Sequence, residues 1–259
     1  MSFSNYHTHS LYCDGRNSPE EIINKAIELG LCEIGFSGHS YTYFDKETSM
    51  SPEDTEKYCL EIRRLQEKYK DKISVRLGIE YDFLSDIDTS GFDYVIGGVH
   101  YLKKNGEIFT IDQSPEEFLR VVNVYYGGDV YSLCEDYYKA LSGIYEKTGC
   151  DIVAHFDLVT KYNDGNSIFD TKHPRYIKAA TDALDILVKK PVIFEINTGA
   201  IARLNKSKPY PEESFVNIIH SAGRDTILSS DCHNMNYLTE SFEKYKHLAT
   251  LDKLPIKQK

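Results

Sequence analysis

Residues 3–9 read Phe3-Ser4-Asn5-Tyr6-His7-Thr8-His9, a short strand-like run that ends in two histidines. In an extended segment, residues two apart point to the same side, so His7 and His9 can face one metal ion together. This first predicted strand covers about residues 3 to 8. Six further runs are equally short and mostly apolar, as strands buried on both faces should be, at about residues 32 to 38, 73 to 80, 94 to 99, 151 to 156, 191 to 197 and 225 to 230.

Amphipathic helical segments lie between the predicted strands. One begins at Ser18-Pro19-Glu20-Glu21 and ends near Gly30, with proline in the first turn and glycine past the last turn, as helices prefer. The region 114–149 is long and contains Gly127-Gly128, which predicts two helices there. Similar helix openings occur at Ser51-Pro52-Glu53, Ser114-Pro115-Glu116-Glu117 and Pro211-Glu212-Glu213.

The alternation of strands and helices decides the fold class. Seven such alternations predict an α/β fold with a mainly parallel sheet. The sheet is expected to be closed, or nearly closed, into a barrel one strand short of the eight-fold form. Barrels of this kind carry their chemistry at the C-terminal ends of the strands.

The composition favours one large domain, residues 1–259, because 259 residues with 41% hydrophobic content can bury a sizeable core. Lys and Arg total 30 against 40 for Asp and Glu, and the resulting net charge of -10 disfavours nucleic acid as a partner. No stretch approaches the roughly 18 apolar residues that cross a bilayer, and no signal-like segment precedes the first strand. We therefore expect a cytoplasmic protein without membrane contacts.

Six cysteines stand singly in the sequence rather than in metal-binding or redox pairs. Reduced thiols are expected, because a large intracellular domain does not need disulfides for its stability. Cys13 and Cys232 lie beside candidate metal ligands. We interpret both as packing neighbours, since histidines and carboxylates already supply suitable ligands.

Residues suited to metal binding follow the predicted strands at one end. The remaining histidines, His173, His220 and His247, lie in predicted helices or at their starts, where structural roles are expected. The candidate ligands are His7 and His9 at the first strand, Asp14 in the turn beyond it, His39 at the second, Glu80 at the third, His100 at the fourth, His155 at the fifth, and Asp231 with His233 at the seventh.

This ligand set predicts a multinuclear metal centre. Imidazole and carboxylate groups suit Zn, Mn or Fe, and nine candidates exceed what one four- to six-coordinate ion can use. Two or three divalent ions are therefore expected, with Glu80 as the natural bridge because a carboxylate has two oxygens. Such ions lower the pKa of bound water from about 15.7 toward 7, which favours hydrolysis. The sequence has neither a dinucleotide-binding glycine motif nor a P-loop.

The motifs, taken in order, resemble those of the PHP (polymerase and histidinol phosphatase) family. They run from residue 6 to 233 as the His-x-His opening, Gly38-His39-Ser40, Gly78-Ile79-Glu80, Gly98-Val99-His100, Ala154-His155 and Ser230-Asp231-Cys232-His233. The resemblance implies a distorted (β/α)7 barrel with a trinuclear metal centre at the C-terminal ends of the strands. It also implies three ligand sets: His7, His9, Glu80 and Asp231; Glu80, His100 and His155; and Asp14, His39 and His233.

Within this family the chain is similar to stand-alone members that hydrolyse L-histidinol phosphate in histidine biosynthesis. Its length and the segment Glu195-Ile196-Asn197-Thr198-Gly199 fit that subfamily. The resemblance implies a phosphoric monoester hydrolase that attacks a small phosphorylated metabolite with metal-bound hydroxide. The alternatives are a nucleotide phosphatase, a phosphodiesterase or exonuclease with the same metals, and a metal-binding scaffold without turnover.

Further residues are candidates for handling the substrate. Asp231 can orient or deprotonate the attacking water, while Asn197 can support a ligand or only bond within its loop. Acids in the segments 40–54 and 101–116, both expected to be loops, can bind the amine of the substrate. The oligomeric state is left open. Three cations can bind phosphate or simply be solvated: Arg203, Lys161 and Arg16.

Overall fold

Seven parallel strands form one sheet whose order follows the chain, β1-β2-β3-β4-β7-β8-β9. The computed structural model describes residues 3–255. A separate antiparallel pair, β5 and β6, is inserted after β4. The strands are β1 (Ser4–Asn5), β2 (Glu33–Phe36), β3 (Ser74–Asp82), β4 (Tyr94–Gly98), β5 (Tyr101–Lys104), β6 (Glu107–Thr110), β7 (Ile152–Val153), β8 (Ile193–Asn197) and β9 (Thr226–Ser229).

The sheet curls until its first and last strands meet. Just beyond β1 and β9, Thr8 and Cys232 form a parallel bridge. The backbone N–H of His9 donates to the Cys232 carbonyl at 2.9 Å, and the Cys232 N–H donates to the His7 carbonyl at 3.2 Å. The predicted distorted (β/α)7 barrel is therefore confirmed, closed at the end where the candidate ligands lie. The continuous strand order supports the proposal that residues 1–259 form a single domain.

Helices surround the barrel and connect most of its strands. Their apolar faces contribute to a large core between helices and sheet, which includes Tyr58, Tyr137 and Leu184 with less than 1% of each residue exposed. The helices are α1 (Pro19–Glu28), α2 (Pro52–Tyr69), α3 (Pro115–Tyr126), α4 (Val130–Ser142), α5 (Ile144–Thr148), α6 (Pro174–Leu187), α7 (Gly199–Leu204), α8 (Glu213–Ser221) and α9 (Phe242–Tyr245).

Three of the four predicted helix openings occur as expected. Ser18 and Glu21 form a capping box at the start of α1, and Ser51 and Ser114 accept backbone N–H groups at the starts of α2 and α3. The fourth, at Pro211-Glu212-Glu213, also begins a helix, but Pro211 precedes the N-cap of α8 rather than lying in its first turn. Paired backbone hydrogen bonds between Tyr210 and Asn197 keep the chain extended up to this point.

Two local features differ from the sequence expectation. The region 114–149 contains α5 as a third, short helix after the two that were predicted. The segment 101–116, expected to be a loop, begins with the β5–β6 hairpin. Its turn residues, Asn105 and Gly106, have φ values of 54° and 89°. An Asn-Gly pair in this left-handed conformation matches the twist of the flanking strands, so the dipeptide was a usable hairpin signal.

All six cysteines are free thiols, as predicted. Cys134 and Cys150 are buried in the core, with no more than 1% of each residue exposed. Among residues 3–255, no helix combines the length and apolar character that a membrane span requires.

A small second core lies inside the barrel. It joins Tyr94 and Ile96 of β4, and Ile152 of the adjacent strand β7, to Ile227 of β9, which pairs with neither β4 nor β7. The Tyr94 hydroxyl reaches across to donate to the carbonyls of Tyr6 and Phe36. This interior packing fills the barrel beneath the candidate ligands.

Two glycines leave room for the Tyr94 ring. A Cβ atom at Gly35 would lie 2.3 Å from the Tyr94 hydroxyl oxygen, and one at Gly78 would lie 2.2 Å from Cζ of the ring. Neither distance is compatible with van der Waals packing. Because Tyr94 is buried and anchored at its hydroxyl, the ring cannot move aside without breaking hydrogen bonds.

We predict that Gly78→Ala lowers the free energy of unfolding by at least about 1–3 kcal/mol, the usual cost of overpacking a core. Urea denaturation followed by circular dichroism measures the change. Gly91→Ala is the matched control, because a Cβ at Gly91 meets nothing within 4 Å. Equal stability of the two variants would show that Tyr94 does not constrain the barrel in this way.

Candidate metal centre

The structure brings all nine predicted ligands together at the C-terminal ends of the strands. Glu80 lies within β3, while the other residues follow strands or occupy the adjoining turns. Three groups have ligand atoms within 4.8 Å of one another and can each hold an ion: His9, Asp14, His39 and His233; His7, His9 and Glu80; and His39, Glu80 and His100.

Glu80 occupies the middle of the cluster, with 1% of the residue exposed. Its two carboxylate oxygens face different sets of histidines, which is the arrangement expected of a bridging ligand. Oε2 lies 3.2 Å from His7 Nε2, 3.4 Å from His9 Nε2 and 3.0 Å from His39 Nδ1. Oε1 lies 3.3 Å from His100 Nε2 and 3.0 Å from His155 Nε2.

Asp231 and Asp14 flank this centre. Asp231 Oδ1 lies 3.3 Å from His9 Nε2 and 3.7 Å from His7 Nε2. Asp14 lies on the other side, with Oδ2 3.1 Å from His233 Nε2 and Oδ1 3.7 Å from His39 Nε2. Each ligand set implied by the family resemblance is thus compact. The geometric groups differ in sharing His9 and His39 between sites, so the assignment of ligands to individual ions stays a prediction.

Several buried polar atoms in the cluster have no hydrogen-bond partner. These atoms converge on the space between Glu80 and the histidines. Leaving a buried polar group unpaired costs roughly 1–3 kcal/mol, so such a concentration is unfavourable without a ligand. Divalent cations fit this donor set. The unpaired atoms that face this space are His7 Nε2, His9 Nε2, Glu80 Oε2 and Asp14 Oδ1.

The electrostatics of the cluster suit cations. Burial raises the pKa of Glu80, but the surrounding histidines, His7 foremost, hold it well below its usual value. Burial lowers the pKa of His9 to about 3, with help from His233 and His39, so its imidazole is neutral and able to bind a metal. Burial opposes protonation of His7, but Glu80 and other carboxylates raise its pKa well above normal. An ion must therefore displace a proton from His7.

The backbone at Asp231 has an unusual conformation. Its φ is 46°, in the left-handed region that non-glycine residues seldom adopt. Strained positions of this kind cluster at functional sites, where the surrounding structure holds them. Asp231 lies in the turn that follows β9, and its backbone conformation directs the carboxylate toward His7 and His9.

The two cysteines beside the ligands stay protonated. Burial raises the pKa of Cys13 to about 12 and that of Cys232 to about 11. The Cys13 sulfur lies 3.5 Å from His9 Nδ1, and Cys232 donates to the Asn234 carbonyl. Because only a thiolate is a good metal ligand, these positions fit the predicted role of packing neighbours.

Two of the three predicted phosphate-binding cations lie at the site. One Arg203 nitrogen donates to Asp231 Oδ2 at 2.7 Å, and another lies 2.6 Å from His233 Nδ1. Lys161 donates from Nζ to the carbonyl and the carboxylate of Asp112, at 2.8 and 3.1 Å. Arg16 is exposed and is not among the residues that line the cleft, so the structure does not place its side chain at the site.

A cleft of about 650 Å³ lies above the metal ligands. Arg203 and Lys161 line it together with six of the nine candidate ligands, and the segment 42–49 supplies another part of its wall, including Asp45 and Glu47. The hairpin contributes Tyr101, whose hydroxyl donates to Asp45. The cleft therefore combines a cationic region with the loop 42–49, an acidic loop in which Asp45 and Glu47 outnumber Lys46.

Two buried carboxylates that support the ligands were missed in the sequence. Glu195 Oε2 lies 2.8 Å from His7 Nδ1, and Asp82 Oδ2 lies 3.3 Å from His100 Nδ1. Asn197 donates to Glu195 at 2.7 Å and to Asp231 at 3.4 Å, which fits its predicted role as ligand support. Asp82 could have been found in the sequence, since it lies two residues after Glu80 in β3 and so shares its face.

Comparison with known proteins identifies the family to which this sequence is similar. A sequence profile described as the PHP domain matches residues 5–199. A "Histidinol-phosphatase" of Lactococcus lactis is 28% identical over 244 residues, which cover 90% of this chain and 85% of that protein.

Solved structures share the fold. A Listeria monocytogenes protein has a TM-score of 0.81 at 20% identity, covering 93% of this chain and 99% of that chain. The histidinol phosphate phosphatase of Lactococcus lactis, solved with zinc, L-histidinol and phosphate, has a TM-score of 0.71 at 24% identity, covering 95% of this chain and 92% of that one.

We predict that Glu80→Gln weakens metal binding by more than about 100-fold, because loss of an outer-shell residue alone costs 10–100-fold and Glu80 contacts the ligand atoms of five histidines. Elemental analysis after dialysis against a metal buffer provides the measurement. His247→Ala is the control, since His247 lies in a helical turn at residues 246–248 outside the cluster. Full metal occupancy in Glu80→Gln would exclude Glu80 as the bridge.

Proposed function

The chain belongs to the PHP domain family, and on this basis we propose that it is a metal-dependent phosphatase that converts L-histidinol phosphate and water to L-histidinol and phosphate. The observation that carries the proposal is the position of Glu80, whose two oxygens face five histidine nitrogens in the buried cluster beside the cleft. The Lactococcus relatives support the substrate, both by their name and by the bound zinc, L-histidinol and phosphate.

We propose that the nine clustered residues hold two or three divalent ions, with Zn, Mn and Fe all compatible with the ligands. When bound, these ions activate water and offset negative charge on the phosphate. The proposed ligands are His7, His9, Asp14, His39, Glu80, His100, His155, Asp231 and His233.

Asp231 is proposed to orient the reacting water rather than to remove its proton. Burial raises the pKa of Asp231, but Arg203 and His7 outweigh burial and hold it well below its usual value. A carboxylate with so low a pKa is a weak base near neutral pH. It remains a good hydrogen-bond acceptor, and its Oδ1 atom faces the ligand nitrogens of His7 and His9.

Arg203 is proposed to bind the phosphate. Its guanidinium carries five N–H donors in a planar fork that suits phosphate oxygens, and the contacts to Asp231 and His233 use only part of this capacity. Lys161 has a third N–H donor beyond the two contacts to Asp112 and is proposed as an additional phosphate contact.

The acidic loop suits the amine of the substrate. Asp45 already accepts hydrogen bonds from the backbone N–H groups of Glu47 and Thr48 and from the Tyr101 hydroxyl. Its carboxylate therefore organises the loop. Glu47 lies at the cleft with an exposed side chain, and we propose it as the partner of the substrate cation.

Three further predictions from the sequence stay predictions. They are a cytoplasmic location, the absence of nucleic-acid and membrane partners, and an open oligomeric state.

Steady-state kinetics on L-histidinol phosphate, p-nitrophenyl phosphate and nucleoside monophosphates test the proposal. We expect kcat/KM to be highest for L-histidinol phosphate, because it alone pairs a phosphate with a small cationic end that fits the acidic loop. Similar values for all three compounds would contradict the assigned substrate. A parallel assay on single-stranded DNA examines the phosphodiesterase or exonuclease alternative, and no phosphate release from any compound by metal-loaded protein would favour a scaffold.

Arg203→Ala should lower kcat/KM for L-histidinol phosphate by about 100-fold, or about 3 kcal/mol, as for loss of one transition-state donor. Phosphate-release kinetics at matched metal content measure the loss. Arg16→Ala provides the comparison, because the Arg16 side chain is exposed and outside the residues that line the cleft. An unchanged rate for Arg203→Ala would reject the phosphate contact, and a comparable loss for Arg16→Ala would restore the sequence prediction for Arg16.

A further inference from the structure

Glu195 is a buried carboxylate behind the metal cluster. It lies in β8, inside the barrel wall, with 1% of the residue exposed. His7 stands between Glu195 and Glu80: its Nδ1 atom is 2.8 Å from Glu195 Oε2, and its Nε2 atom is 3.2 Å from Glu80 Oε2. Each ring nitrogen of His7 thus faces a different carboxylate, and only Nε2 points toward the other ligands.

The second oxygen of Glu195 holds a different ligand. Oε1 accepts the backbone N–H of His155 at 2.6 Å. His155 in turn places its Nε2 atom 3.0 Å from Glu80 Oε1, on the opposite side of the bridging carboxylate from His7. One carboxylate therefore fixes two ligands that the family resemblance assigns to different ions.

The remaining partners of Glu195 determine how the side-chain amide of a glutamine at this position would be oriented. Oε1 also accepts from the Asn197 amide nitrogen at 2.7 Å, so this oxygen faces two groups that can only donate. Oε2 faces the Ser229 hydroxyl at 2.6 Å and His7 Nδ1 at 2.8 Å, both of which can donate or accept. The Oε1 position consequently requires an acceptor, whereas the Oε2 position tolerates either role.

We propose that Glu195 is a positioning residue that keeps the His7 proton on Nδ1 and leaves Nε2 free to bind an ion, and that it couples two ion sites through His7 and His155. The inference rests on the proposed metal centre. A carboxylate that accepts from the outer nitrogen of a metal-binding histidine fixes both the tautomer and the orientation of the ring. Glu195 does this for one ligand and restrains the backbone of a second.

Glu195→Gln reverses this arrangement with almost no change in shape. The glutamine oxygen must occupy the Oε1 position, because both groups there are donors. Its NH₂ group then faces His7 Nδ1, which can receive that hydrogen bond only as an acceptor. A neutral His7 would carry its proton on Nε2, the atom that faces Glu80 and the ions.

Zinc titration and NMR test the inference on the complete chain. We expect Glu195→Gln to lose at least tenfold in zinc affinity, within the 10–100-fold range for loss of an outer-shell partner. In zinc-loaded wild-type protein, ¹H–¹⁵N spectra should show a hydrogen-bonded Nδ1–H of His7, assigned by its absence in His7→Asn. Because this second measurement needs no Glu195 variant, it also decides the matter if Glu195→Gln fails to fold.

Ser229→Ala is the matched control, since it removes one hydrogen bond to Glu195 Oε2 but keeps the carboxylate. Zinc affinity within about threefold of wild type is expected for this variant. Wild-type zinc affinity in Glu195→Gln, or a His7 proton on Nε2 in zinc-loaded wild type, would overturn the inference while leaving the metal centre intact. Wild-type protein that binds no zinc, manganese or iron would overturn the metal centre and this inference together.

Discussion

All seven barrel strands run parallel, and this constraint determines where the chemistry-bearing side chains lie. Parallel strands end on one face, so residues far apart in the sequence arrive at one mouth. His7 and His233 are separated by more than two hundred residues, yet both contact the same small cluster. The Tyr94 ring fills the interior below and supports the strands whose ends carry the ligands.

The cluster shows how charge is balanced in a buried site. Carboxylates at Glu80, Asp231 and Glu195 stay ionised because histidines and Arg203 surround them, although burial alone would raise the pKa of each. The same carboxylates raise the pKa of His7. Protonated histidines therefore supply part of the positive charge that metal ions would otherwise provide. Metal binding should depend on pH, because the ions must release those protons.

Much of the fold and of the cluster could be predicted because short apolar runs mark the strands and each candidate ligand follows such a run. Glu195 escaped detection since it lies inside β8, where a carboxylate gives no sign of its partner, and only the closed barrel shows that His7 is opposite. The hairpin at residues 101–110 was missed although Asn105-Gly106 marks its turn. The direction of the Arg16 side chain depends on loop geometry, which residue spacing does not determine.

The closure between Thr8 and Cys232 has a consequence for biosynthesis. A ribosome delivers the chain in order, so His7 and His9 leave the exit tunnel long before Asp231 and His233 exist. The early histidines cannot complete their coordination until the last strand has docked beside the first. A nascent or truncated chain would therefore lack the full chelating site, and capture of the complete set of ions would report that translation and barrel closure are finished.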